Sequence, residues 1–140
     1  MASQKISQLP NGAPAQNTDQ IVVARTGANY RLTIKDLRTQ AINAQIGTTY
    51  TLLATDQNAL VTLTNANPIT VTVPTNAAQA FPVGAAVDLA QLGAGQVTIV
   101  GDTGVTVNGT PGLKLQTQYS VGRIIKIDTN QWLLSGDLSA

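Results

Sequence analysis

The chain has 140 residues, 43% apolar, 4% aromatic and 11% charged, with a formal net charge of +1 and no histidine, cysteine or glutamate. That inventory removes Ser-His-Asp and Cys-His catalytic arrangements, disulfides, and zinc sites built on His or Cys. So small a net charge generates no long-range field that would steer the chain toward phosphate or anionic lipid, so neither nucleic acid nor a membrane is expected as a partner.

Met1–Gln20 carries Pro10, Asn11, Gly12 and Pro14 among glutamine and asparagine, with Ile6 and Leu9 as its only sizeable apolar side chains after Met1. It reads as an extended arm (residues 1–20), too poor in apolar surface to order itself without a neighbour. It lacks the apolar core of a signal peptide, so nothing in it directs secretion. Residues 21–140 then read as one β-sandwich domain.

Ile21–Ala24 and Asn29–Ile34 flank the turn signal Thr26–Gly27–Ala28 and predict a small hairpin. Thr33 ahead of Ile34–Lys35–Asp36 looks like a helix start, and Ile34, Leu37, Ala41 and Ile42 follow helical spacing. One short helix is therefore expected near residues 34–45. Arg25, Arg31, Lys35 and Arg38 outnumber Asp36 here, a local basic excess suited to docking on an acidic neighbour.

From Thr48 onward, short strands separated by turn residues recur at steps of about ten, the pattern of an all-β domain. Strands are predicted at Thr49–Leu53, Ala59–Thr64, Ile69–Val73, Ala85–Leu89, Gln96–Val100, Val105–Val107, Leu113–Gln116, Ser120–Asp128 and Gln131–Leu134. In Ile69–Val73 the apolar Ile69, Val71 and Val73 alternate with Thr70 and Thr72, as on a strand with one face in a core. Two sheets packed face to face would use all of these runs. The expected class is mainly β: an antiparallel, jelly-roll-like sandwich with an extended arm and one short helix, and without an internal repeat.

Seven aspartates remain as acid–base candidates, and Asp56, Asp102 and Asp128 stand in turns where Asp bonds nearby backbone. No Asp-rich loop of the EF-hand kind occurs, and Gly93–Ala94–Gly95 and Gly101–Asp102–Thr103–Gly104 lack the Lys and Ser/Thr of a phosphate loop. Those glycines read as hairpin turns. Trp132, Phe81, Tyr30, Tyr50 and Tyr119 fit core anchors better than a sugar-stacking platform. No catalytic residue, cofactor or metal is expected.

Lys5–Ile6–Ser7–Gln8–Leu9–Pro10, with Asp19–Gln20–Ile21–Val22–Val23 and Tyr30–Arg31–Leu32–Thr33–Ile34–Lys35–Asp36–Leu37, resembles the opening of many tailed-bacteriophage tail-fibre, head-fibre and appendage proteins. Tyr50–Leu52, Ile69–Pro74, Phe81–Gly84, Gly93–Thr98 and Trp132–Leu138 are similar to a β-rich module of the same class that ends in a "W.L.GDL" strand. The resemblance implies a virion surface protein made in the host cytoplasm. A short module stopping at Ala140 suits a capsid decoration, or cement, protein that bridges neighbouring major capsid protein subunits and forms homodimers or homotrimers. Ile6, Leu9, Pro10, Arg25, Arg31, Lys35 and Arg38 are its expected partner-binding residues. A short fibre module binding host polysaccharide is the alternative.

Overall fold

A computed structural model describes residues 39–140 in full and, of those before them, the backbone of residues 20–25 and 28–33. The chain divides into two compact units, Met1–Thr39 and Gln40–Ala140.

In the first unit, β1 (Gln20–Arg25) and β2 (Ala28–Thr33) pair antiparallel, with Arg25 opposite Ala28 and Gln20 opposite Thr33. This is the hairpin that the alternation around Thr26–Gly27 predicts. Residues 1–19 and 34–38, with the expected arm and the first half of the expected helix, lie outside the described residues.

The second unit is mainly β. It begins with chain segments that alternate between two sheets: β3 (Ile42–Gln45), β4 (Thr49–Thr51), β5 (Leu60–Leu63), β6 (Ile69–Val73), β7 (Ala86–Gln91) and β8 (Val97–Gly101). β3, β5 and β7 lie side by side in parallel, and so do β4, β6 and β8. Three successive coils therefore stack as in a solenoid. β9 (Thr106–Gly109), β10 (Lys114–Leu115), β11 (Val121–Asp128), β12 (Gln131–Gly136) and β13 (Leu138–Ser139) complete the sheets. One sheet has the order β3-β5-β7-β11-β12-β9 and the other β13-β10-β8-β6-β4.

This topology corrects the expectation of an antiparallel, jelly-roll-like sandwich. Every predicted strand after Thr48 is present, but the sheets are mixed and the early strands coil. Apolar alternation reports which face of a strand is buried and is silent on the direction of its neighbour. Nor does the coil leave a repeat to find, since Ile42, Leu60 and Asp88 sit side by side at sequence spacings of 18 and then 28 residues.

The expected helix is also corrected, because Ile42–Gln45 is the edge strand β3. Pairing with Leu60–Leu63 satisfies the backbone groups on one side of it, and Asn43 reaches inward to hydrogen-bond Asp56. Weak helical spacing is readily overridden by such tertiary partners. The glycine turns differ too: Gly93–Gly95 is the corner that carries the chain from β7 in one sheet to β8 in the other.

That corner is tight. Gly93 N donates to Leu63 O at 3.1 Å and Gly95 N to Asn65 O at 2.9 Å, so the third coil rests on the corner of the second. A Cβ on Gly95 would lie 1.8 Å from Asn67 O, closer than any side chain can approach. Between the sheets, Val61, Leu63, Val87, Leu89, Ile124, Trp132 and Leu134 of the larger pack with Ile69, Val71, Val73, Val97, Ile99, Leu115 and Leu138 of the smaller. Each large aliphatic side chain so buried contributes about 1.5–3 kcal/mol.

Candidate functional site

Two clusters of polar groups border this core. At the first coil, Asn43 Nδ2 donates to Asp56 Oδ1 at 2.8 Å, while Tyr50 Oη at 2.7 Å and Leu53 N at 2.8 Å both donate to Asp56 Oδ2. The carboxylate is buried and accepts three hydrogen bonds. Partial burial, together with the hydrogen bond and the negative charge of Asp56, pushes the Tyr50 hydroxyl up to about 12. A polar plug on a terminal coil keeps an apolar stack from ending in water.

Elsewhere Lys126 is buried opposite Trp132. Its Nζ donates to Phe81 O at 2.7 Å and to Asn76 Oδ1, and lies 6.0 Å from the centroid of the Trp132 ring. These contacts tie the long β6–β7 connection to the β11–β12 hairpin. Sequence reasoning passed over Lys126, because the alternation of Val121, Ile125 and Ile127 points those side chains into the core and Lys126 to solvent, whereas the strand buries Ile124 and Lys126 and turns Val121 and Ile127 outward. Phe81 meets Trp132 edge to face, with centroids 5.2 Å apart.

The remaining described aspartates have structural partners. Asp102 and Asp128 each accept from the next residue's N–H at 2.7 Å, in the turns where the sequence places them. Asp137 accepts the Ser120 hydroxyl at 2.6 Å, and Asp88 pairs with Arg123 at 3.3 Å and accepts from Gln40 at 2.6 Å. Among the described residues, no group of three acidic side chains is placed to hold a metal ion, and no pocket opens. No helix among them is long and apolar enough to cross a membrane.

What the unit offers a partner is therefore its two outer sheet faces, and they differ. On the five-stranded sheet, Thr49, Thr70, Thr98, Lys114 and Ser139 fall in one register row, and Thr51, Thr72 and Val100 in the next. This face is dominated by hydroxyls. On the six-stranded sheet, the outward positions are mostly aliphatic: Ile42, Leu60, Val121, Ile125 and Leu133 surround the Asp88–Arg123 pair.

Of the predicted partner-binding residues, Arg25 and Arg31 stand on different strands of the hairpin, three register steps apart. Ile6, Leu9, Pro10, Lys35 and Arg38 lie outside the described residues. Of the aromatic residues, Trp132 and Phe81 are core anchors, Tyr50 is held by Asp56, and Tyr119 is 72% exposed. No protein-family model and no curated protein matches the chain.

Proposed function

We propose that the chain is a virion structural protein of a tailed bacteriophage, acting as a capsid decoration protein that bridges neighbouring major capsid protein subunits. The observation that carries this reading is the hydroxyl-rich outer face of the five-stranded sheet, where Lys114 is the one charged side chain in rows of threonine and serine, suited to contact by shape and hydrogen bonding. The phage-like order of the sequence segments supplies the setting. In this reading Ile6, Leu9 and Pro10 attach along the seams between subunits, and Arg25, Arg31, Lys35 and Arg38 meet acidic capsid surface. Many identical weak contacts on a symmetric shell add up through avidity.

A fibre module binding host polysaccharide calls for an exposed aromatic platform. Burial of Trp132 and Phe81 leaves Tyr119 as the exposed aromatic side chain among the described residues, which favours the decoration reading. Mixing purified protein with assembled capsids that lack it tests the proposal. The full chain is expected to co-sediment with the particles and raise their resistance to heat, and a chain without residues 1–20 to keep its fold but bind more weakly. Capsids that neither bind the protein nor gain stability from it would refute the assignment.

A further inference from the structure

The two outer faces of the Gln40–Ala140 unit are chemically unequal, and the aliphatic one is unusual. The five-stranded sheet follows the rule for a solvated face, with Thr49, Thr51, Thr70, Thr72, Thr98, Lys114 and Ser139 outside its buried residues and Val100 as the apolar exception. On the six-stranded sheet Ile42 is 71% exposed and Leu133 44%, with Val121 and Ile127 also exposed. Exposed aliphatic side chains gathered on one sheet face around a single ion pair suit an interaction site.

The register gives the face a particular relief. β7 presents Ala86, Asp88 and Ala90 outward, and its neighbour β11 presents Ile125, Arg123 and Val121 directly opposite them. Ala86 and Ala90 are only 5% and 4% exposed, so β7 is a low strip beside the higher ridge of β11. The strip carries an anion at its midpoint and the ridge a cation.

We propose that this face is a self-association surface, on which a second copy of the chain docks about a twofold axis running between β7 and β11 along the strands. Such an axis lays the ridge of each copy over the strip of the other. Ile125 then covers the partner's Ala86, Val121 covers the partner's Ala90, and Arg123 meets the partner's Asp88. Large residues meet small and each charge meets its opposite, which is the self-complementarity an isologous interface requires. Arg123 and Asp88 already pair within one copy, with Gln40 also donating to Asp88, so docking converts one exposed ion pair into a sheltered group of four charges. The inference concerns the chain in free solution and stands apart from the capsid reading.

Sedimentation equilibrium of the full chain, with Trp132 fluorescence as the check on folding, tests it. The wild type is expected to be a dimer. Asp88→Arg sets arginine against arginine across the axis and Arg123→Asp sets aspartate against aspartate, and each variant alone is expected to self-associate on the order of 100-fold more weakly. An equimolar mixture of the two restores opposite charges across the axis and is expected to recover the dimer. Leu133→Asp, at the rim of the face, is expected to weaken association with the fold intact. A monomeric or trimeric wild type, single variants that dimerise normally, or a mixture no tighter than its components would overturn the proposal. So would a monomer whose six-stranded face gains hydrogen-exchange protection only on capsids, because the occupant would then be a capsid subunit.

Discussion

Removing the Asp56 carboxylate should loosen the first coil, and its hydrogen bonds set the size of the effect. Asp56→Ala leaves the Leu53 N–H, a fixed backbone donor, without its acceptor, while Asn43 and Tyr50 are half-buried and can turn partly toward water. At about 1–3 kcal/mol for a buried donor left unpaired, and less for the two that can reorient, the expected loss is about 3 kcal/mol. Tyr50→Phe removes one donor and leaves Asp56 two, for a loss of about 1–2 kcal/mol. The double variant should fall short of the sum, with a coupling energy of about 1.5 kcal/mol as befits a charge-assisted hydrogen bond. Urea unfolding followed by Trp132, the single tryptophan and a core residue of this unit, reads these numbers directly. With an m-value of about 1.5 kcal/mol/M, Asp56→Ala should lower the midpoint by about 2 M. A coupling below about 0.5 kcal/mol would show that the plug does not hold the coil.

The same pair predicts an alkaline limit. Because the Tyr50 hydroxyl is raised from 10.0 to about 12 in the folded chain, the folded state favours the protonated phenol. Its stabilisation is complete below the unfolded value of about 10 and is lost as pH rises toward 12. Wild type should therefore lose its advantage over Tyr50→Phe in that window, and parallel pH profiles would contradict the assignment. Gly95→Ala should cost about 1–3 kcal/mol, since its Cβ collides with the Asn67 carbonyl, whereas Gly47→Ala, with 3.5 Å to Thr49 O, should change stability by under about 0.5 kcal/mol. Equal effects in thermal unfolding would rule out the tight corner. Trp132→Ala should cost about 3–5 kcal/mol by emptying the core, and a variant of normal stability that lost only glycan binding would instead favour the fibre alternative.

Much of the fold was legible because burial writes a period of two into a strand. Ile69, Val71 and Val73 all face the core, as their alternation with threonine requires. What stayed hidden was carried by pairings distant in sequence. Nothing local tells Ile69–Val73 that its neighbours are parallel, and the unequal coil lengths erase the repeat that would betray a solenoid. Asn43 gave no strand signal of its own, because its place depends on Asp56, thirteen residues on. The outer aliphatic face escaped notice for a related reason: Leu60, Ile125 and Leu133 each look like core residues until register shows which side of the sheet they occupy.

The central claim, that the chain decorates the capsid, is tested most directly by imaging phage particles with and without it. Density for the β-unit over the seams between major capsid protein subunits, lost from particles that lack the gene, is the expected result. Density confined to the tail, or particles unchanged by its loss, would contradict the account.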